Sequence, residues 1–184
     1  MIAKFEPCKL KGKISAPPSK SMAHRYLIGS ALSKEKCVLS GVDYSEDILA
    51  SIDCLKSLGA EISTDGDNVT VNSDNFMKAK NPVLECRESG STLRFFIPLA
   101  LCLGKEVTLK GSTRLFERPL DVYEKLCREN GFTFQKNANS VMLCGKLKSG
   151  SYKIRGDIIE GCYFVRSYCK CYNCTTRFVY WAII

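Results

Sequence analysis

The chain has 184 residues, a formal net charge of +8 and 45% hydrophobic residues, which is enough for one domain with a packed core. No apolar run is long enough to span a bilayer, and residues 1–13 alternate charged and apolar side chains, unlike a signal peptide. The basic residues form no long run and lack interleaved aromatic residues, so we expect a cytoplasmic protein with no membrane or nucleic-acid partner, whose charge suits small acidic substrates.

The first predicted helix begins within residues 17–25, whose sequence is PPSKSMAHR. The two prolines favour an extended entry, and Ser19 and Ser21 are both suitable N-cap residues. The free N–H groups at such a helix start attract a phosphate or carboxylate, Lys20 adds positive charge, and Arg25 lies one turn on from Ser21. Taken alone, a stretch of this kind more often only caps a surface helix.

A second stretch of similar design occupies residues 87–94, whose sequence is RESGSTLR. A polar loop of small residues precedes a helix start, and Gly90 would let the backbone approach a ligand closely. Arg94 follows Gly90 by four residues, so the two lie on one helix face. The two stretches together predict two anion-binding helix starts.

The elements around these helices repeat along the chain. The first unit is predicted to contain a strand at 37–41, a helix at 47–58 ended by Gly59, and a hairpin of 60–63 with 69–71. The second is predicted to contain a strand at 106–111, a helix at 120–128 ended by Gly131, and a hairpin of 132–134 with 141–144. A third unit begins at 152–157. One unit cannot bury its apolar sheet face alone, so we expect an α/β fold of packed repeats.

These motifs resemble the N-terminal part of the 5-enolpyruvylshikimate-3-phosphate synthase (3-phosphoshikimate 1-carboxyvinyltransferase) family. The resemblance covers residues 1–157 and is carried by the following residues: PSKSMAHR at 18–25, ESGSTLR at 88–94, Gly111, and FERPL at 116–120. A sister family, UDP-N-acetylglucosamine enolpyruvyl transferase, shares the fold but has a Lys-Asn pair where this chain has Lys20 and Ser21. The sister family is therefore the second choice.

The resemblance implies a reaction of the shikimate pathway for aromatic amino acids. The enolpyruvyl group of phosphoenolpyruvate is transferred to the 5-hydroxyl of shikimate 3-phosphate, without metal or organic cofactor, in a usually monomeric protein. The implied fold is two domains of three βαβαββ repeats each, so residues 1–157 would hold about two of the three repeats of the first domain.

The resemblance also implies which residues bind the substrates. For shikimate 3-phosphate they are Lys20, Ser21 and Arg25, and for phosphoenolpyruvate they are Lys20, Gly90, Arg94 and Arg118. The proton-transfer groups of the family lie in its C-terminal domain, so no catalytic residue is assigned in this chain. We therefore expect these 184 residues alone to be inactive, and an inactive fragment is the alternative to a working enzyme.

Three of the polar residues allow more than one interpretation. Arg118 could be a surface residue paired with Glu117 instead of a ligand group. His24 is the sole histidine and could suggest a general base, but we interpret it as a helix-start residue. Asp47 is interpreted as a carboxylate that complements a helix N-terminus, and a role in orienting Lys20 is the weaker alternative.

The family pattern is lost after residue 157. Residues 158–184 are rich in Cys and Tyr and show neither helical nor strand periodicity, so we predict no domain there. A truncation, or a frameshift with a small deletion near Ile158, would explain this tail. Four cysteines could instead bind zinc, but two of them are too close for the usual zinc hairpin and no histidine joins them, so no metal site is predicted. These cysteines are Cys162, Cys169, Cys171 and Cys174.

Overall fold

The computed structural model of the protein describes residues 9, 11–148, 152–155 and 169–172, and of residues 153–155 and 169–172 it describes the backbone. The helices are α1 (Lys20–Leu32), α2 (Glu46–Ser57), α3 (Gly90–Leu103), α4 (Thr113–Phe116) and α5 (Asp121–Glu129). The strands are β1 (Cys37–Leu39), β2 (Glu61–Asp65), β3 (Asn68–Asn72), β4 (Val83–Glu85), β5 (Val107–Lys110), β6 (Thr133–Lys136), β7 (Ser140–Cys144), β8 (Tyr152–Arg155) and β9 (Cys169–Tyr172).

The predicted repeat is present in two sheets with matching topology. The first sheet has the order β1-β3-β2, and the second has β4-β5-β7-β6, in which β5-β7-β6 repeats the antiparallel arrangement of the first. The registers also correspond, because Cys37 lies opposite Val71 in the first sheet and Val107 opposite Leu143 in the second. The mixed α/β repeat fold expected from the sequence is therefore confirmed.

Two short elements of the second unit were not predicted. β4 has three residues and lies parallel to β5, with Val83 opposite Thr108. Three residues are too few to show a strand period, and the single turn of α4 is too short to show a helical one. The two units are alike in one further respect, because α2 contacts β4 and α5 contacts β8.

Part of the tail forms a strand, which the sequence analysis did not expect. β9 lies parallel to β8, with Tyr152 opposite Cys169. The sequence shows no strand period at these four residues, and ladder hydrogen bonds use backbone groups and require no side-chain period. That residues 158–184 form no domain stays a prediction. Ile158, Cys162 and Cys174 lie outside the described residues, so the frameshift hypothesis and the boundary at residue 157 stay predictions.

The described core is continuous across both units, and α3 lies within it. Ten of the 14 residues of α3 are buried, because α2 packs on one side and the second sheet on the other. A helix that is apolar around its whole circumference is suited to such a central position. The units were predicted to pack together, and α3 provides the shared part of the core.

Pro98 lies inside α3 and cannot donate a hydrogen bond to the carbonyl of Arg94, four residues earlier. The hydroxyl of Tyr123, from α5, donates to that carbonyl at 3.3 Å. Tyr123 is 2% exposed, so the bond is sheltered from water. Pro98 and Tyr123 together therefore connect α5 to the first half of α3, where Arg94 lies.

We expect Tyr123→Phe to lower the free energy of unfolding by about 1 kcal/mol or more, because a buried carbonyl then lacks its donor. Tyr26→Phe removes the same atom from a side chain that is 57% exposed, and we expect a change within about 0.5 kcal/mol. Urea denaturation of both variants measures the difference. Equal effects of the two substitutions would contradict the proposed role of the Tyr123 hydroxyl.

Candidate functional site

A cleft of about 510 Å³ lies where the N-termini of α1, α2 and α3 meet. Its lining residues are Lys20, Asp47, Glu88, Gly90, Ser91, Arg94 and Arg118. Four of the six candidate binding residues are thus brought together here. The other two, Ser21 and Arg25, lie on α1 outside this lining.

The start of α3 forms one wall of the cleft. Ser89 is the N-cap, and its hydroxyl accepts a hydrogen bond from the Thr92 N–H at 3.1 Å. The N–H groups of Gly90 and Ser91 precede the first intrahelical acceptors, so they are available to an external acceptor. This wall therefore combines free donors with the positive end of a 14-residue helix.

Two guanidinium groups lie directly over Gly90. A Cβ atom at residue 90 would overlap Arg118 Nη1 and lie 2.9 Å from Arg94 Nη1, and Arg94 Nη1 also donates to the Gly90 carbonyl at 3.3 Å. Within the described residues, neither arginine forms an ion pair, and Arg118 does not pair with Glu117. Two like charges held together without a carboxylate favour an anionic ligand between them.

The turn after β5 places Arg118. A Cβ at Gly111 would lie 2.5 Å from the Arg87 carbonyl oxygen, which accepts a hydrogen bond from the Ser112 N–H at 2.9 Å. Ser112 caps α4, and the buried side chains of Leu115 and Phe116 fix that short helix to the core. Arg118 follows directly, so its backbone position depends on this close backbone contact.

Arg87 ties the loop before α3 to α2. It has φ +52°, and its guanidinium forms ion pairs with Glu46 and, at 2.8 Å, with Asp53. The sequence analysis did not assign Arg87 this role. A sequence signal exists, because Glu46 and Asp53 are two turns apart and therefore lie on one face of α2. Arg87 is thus neutralised by α2, whereas Arg94 and Arg118 are not.

Lys20 contacts Asp47 across the cleft, with Nζ 2.5 Å from Oδ2. Burial of the Asp47 carboxyl raises its pKa, but the hydrogen bond and charge of Lys20 and a hydrogen bond from Ser89 outweigh burial and hold that pKa below its usual value. The orientation of Lys20 by Asp47, which the sequence analysis considered the weaker alternative, is the arrangement observed. Lys20 stays 53% exposed and can therefore also contact a ligand in the cleft.

The two helix starts match at their caps but not at their arginines. Ser19 is the N-cap of α1, so Lys20 occupies the same helical position as Gly90 in α3. Arg25 is then one position further along its helix than Arg94, which turns it by about 100°. Its Nη1 donates to the Ser21 carbonyl at 2.5 Å, and its guanidinium lies 5.6 Å from the centre of the Phe95 ring. The predicted similarity of the two stretches is therefore partial.

His24 is 1% exposed and lies in the second turn of α1, not at its start. Its Nδ1 lies 2.8 Å from the Ser51 hydroxyl, and Nε2 has no hydrogen-bond partner among the residues that the structure describes. Burial lowers the pKa of His24 from 6.5 to about 4, with smaller contributions from the nearby charges. The imidazole is therefore neutral at pH 7.

The burial of His24 predicts a loss of stability in mild acid. The unfolded chain binds a proton near pH 6.5 and the folded chain near pH 4, so the free energy of unfolding falls as the pH falls between these values. The loss is at most about 3 kcal/mol, at 1.36 kcal/mol per pKa unit. Asp47, whose pKa is lowered, adds a further loss only below its ordinary range.

Urea denaturation of the wild type and of His24→Asn at pH 7 and pH 4.5 measures this effect, because contributions from other groups cancel in the comparison. We expect the wild type to lose more stability than the variant on acidification. A difference between the two proteins that is independent of pH would contradict the burial of a neutral imidazole.

We expect Gly90→Ala to weaken the binding of inorganic phosphate at the cleft by roughly tenfold. The added methyl group displaces Arg118, and one charge-assisted hydrogen bond is worth about 1.5–3 kcal/mol. The free energy of unfolding should change little, because the displaced atom is the end of a flexible side chain.

Gly29→Ala is the matched control, since Gly29 is in α1 and a Cβ there meets nothing within 4 Å. This control should bind phosphate as the wild type does and gain about 0.5–1 kcal/mol of stability. Calorimetric titration and urea denaturation measure both quantities. Unchanged phosphate affinity in Gly90→Ala would show that the arginine pair does not bind the anion.

No helix in the described ranges is long and apolar enough to cross a membrane. The same part of the chain contains no group of three or more His, Cys, Asp or Glu side chains that could hold a metal ion. The zinc hypothesis concerns other residues: Cys162 and Cys174 are not described, and Cys169 and Cys171 are described by their backbone. That hypothesis is therefore not tested.

The fold and the cleft define an α/β repeat protein that gathers three helix N-termini and an arginine pair into a site suited to a small anion. Residues 5–161 match the profile of the family described as EPSP synthase (3-phosphoshikimate 1-carboxyvinyltransferase). The chain belongs to this family.

Individual relatives agree with this assignment. A 3-phosphoshikimate 1-carboxyvinyltransferase of Clostridium perfringens is 41% identical over 155 residues, and one of Clostridium kluyveri is 42% identical over 156 residues. These matches cover 83% and 84% of this chain but 37% of each relative. The chain thus spans little more than a third of the length of these curated relatives. The matches favour this family over the sister family and over a nucleic-acid-binding module.

A solved structure, an EPSP synthase of Acinetobacter baumannii, is similar to this chain with a TM-score of 0.67. The sequence identity is 24%, and the match covers 78% of this chain and 34% of that one. At this identity the comparison supports the fold, and it agrees with the two repeats described above.

Proposed function

We propose that this chain forms part of the substrate site of a 3-phosphoshikimate 1-carboxyvinyltransferase. The reaction transfers the enolpyruvyl group of phosphoenolpyruvate to the 5-hydroxyl of shikimate 3-phosphate and releases phosphate. The observation that supports this proposal best is the pair of guanidinium groups, without carboxylate partners among the described residues, over Gly90 at the start of α3.

Phosphoenolpyruvate carries a phosphate and a carboxylate, and both suit the planar, bidentate donors of arginine. In this proposal Arg94, Arg118 and the N–H groups at Gly90 bind phosphoenolpyruvate, and Lys20 contacts both substrates. Positive groups fixed near the forming tetrahedral centre also offset the charge that develops on the departing phosphate. The chain supplies these groups without a metal or an organic cofactor.

Shikimate 3-phosphate is assigned to the α1 side of the cleft, where Lys20 lines the cleft and Ser21 and Arg25 lie on the same helix next to that lining. Ser21 is the second residue of α1, so its N–H has no intrahelical acceptor and its hydroxyl is a further donor. Arg25 packs on Phe95, which limits the conformations of its side chain.

The proposal includes the wider properties expected from the sequence. The protein acts in the cytoplasm as a monomer, in the synthesis of chorismate and the aromatic amino acids. No proton-transfer group is assigned within these 184 residues, so we expect them to bind substrates without turnover. Measurement of phosphate release from the two substrates tests this point, and appreciable release would contradict it.

We expect Arg118→Ala to weaken phosphoenolpyruvate binding by roughly tenfold or more in the presence of shikimate 3-phosphate, as loss of a charge-assisted contact requires. Arg114→Ala is the matched control, because Arg114 is exposed on α4 and does not line the cleft. The control should bind within about twofold of the wild type. Calorimetric titration measures both, and equal affinities for the two variants would contradict the assignment of Arg118.

A further inference from the structure

A chain of buried hydrogen bonds joins His24 to the cleft. His24 Nδ1 lies 2.8 Å from Ser51 Oγ, which lies 2.9 Å from Thr92 Oγ1, and Thr92 Oγ1 donates to Ser89 Oγ at 2.8 Å. Thr92 Oγ1 also lies 3.2 Å from the backbone carbonyl oxygen of Asp47, and the nearby Ser89 hydroxyl helps to lower the pKa of the Asp47 carboxyl. His24, Ser51, Thr92 and Ser89 are each at most 2% exposed, so this chain of contacts is closed to solvent.

The direction of these hydrogen bonds follows from the number of protons. The backbone carbonyl of Asp47 can only accept, so Thr92 donates to it, and Thr92 also lies within donating distance of Ser89. Thr92 has then used its one proton, and Ser51 must donate to Thr92. Ser51 therefore accepts from His24, which requires the proton of the neutral imidazole to be on Nδ1.

The other ring nitrogen agrees with this assignment. Nε2 of His24 is buried and has no hydrogen-bond partner within the described part of the chain, and the ring lies 5.8 Å from the ring of Phe95. A buried N–H without an acceptor costs more than a bare lone pair in the same apolar surroundings. The surroundings of both nitrogens therefore favour the tautomer in which Nδ1 carries the proton and Nε2 does not.

We propose that His24 is a positioning residue that, as an Nδ1–H donor acting through Ser51, Thr92 and Ser89, fixes the Asp47 carboxylate and through it Lys20 in the cleft. The contacts connect α1, α2 and α3, so the relay also sets the spacing of the three helix starts. The Ser51 and Thr92 hydroxyl protons both point towards Asp47, and the Ser89 hydroxyl helps to hold the pKa of the Asp47 carboxyl below its usual value. The consequence for ligand binding rests on the proposed function, whereas the relay itself rests on these contacts.

The tautomer is the first test, and it does not depend on any ligand. The chain has a single histidine, so ¹⁵N-histidine labelling of the full chain gives an unambiguous NMR spectrum. We expect a protonated Nδ1 and an unprotonated Nε2 at pH 7. An imidazole protonated on Nε2, alone or on both nitrogens, would overturn the proposal.

The second test compares His24→Asn with His24→Leu. The Asn side-chain NH₂ lies near the position of Nδ1 and can donate to Ser51, whereas Leu fills similar space without a donor. We expect His24→Asn to bind phosphoenolpyruvate, with shikimate 3-phosphate present, within about twofold of the wild type, and His24→Leu to bind roughly tenfold more weakly. Equal losses in the two variants would mean that His24 acts by packing alone, and would overturn the proposal.

Coupling to Asp47 separates positioning from a general structural effect. In an Asp47→Asn background the carboxylate that the relay is proposed to fix is absent, so His24→Leu should weaken binding less than twofold further. If His24→Leu does not fold, Ser51→Ala takes its place in the same cycle. If the losses of binding free energy are additive both in the cycle with His24→Leu and in the cycle with Ser51→Ala, the proposal is overturned. If the wild type binds neither substrate, the proposed function fails. The relay is then decided by the tautomer measurement and by the same double-mutant cycles, with the free energy of unfolding measured in place of binding.

Discussion

The site depends on one constraint, which is that neither unit can bury the apolar side of its sheet alone. The two units share a core around α3, and α2 packs against both α1 and α3. This packing brings the first turns of three helices to one edge, where Lys20, Asp47 and Gly90 line a single cleft. Burial of apolar surface thus places the donors, and no long loop is needed to carry them.

Some basic residues around the cleft are paired with described carboxylates and others are not, and the difference follows from the elements to which they belong. Asp47 neutralises Lys20, and Glu46 and Asp53 neutralise Arg87. The acidic residues of α2 are all used in this way. Arg94 and Arg118 come from α3 and from the turn after α4, and no described carboxylate pairs with either of them. Ion pairs therefore surround two cations that are left without a carboxylate partner among the described residues, as a site for an anionic ligand requires.

Local sequence was enough to predict the repeat and the helix caps. Ser19, one of the two predicted candidates, is the N-cap of α1, because capping is a local interaction, and the strands of both hairpins follow the predicted pairing. The contact between Lys20 and Asp47 joins residues far apart in the chain, so spacing could not decide between its two interpretations. The relay from His24 was missed because Ser51 and Thr92 are unremarkable in sequence and acquire their role only when α2 and α3 pack together.

The burial of His24 also limits how the cleft can respond to acidity. Histidine is the side chain whose ordinary ionisation falls between pH 5 and pH 8, and here it stays uncharged and lies outside the cleft lining. A phosphate ester, in contrast, gains its second negative charge near pH 6. Across the neutral range the charge of His24 then stays constant, whereas that of a bound phosphate ester changes.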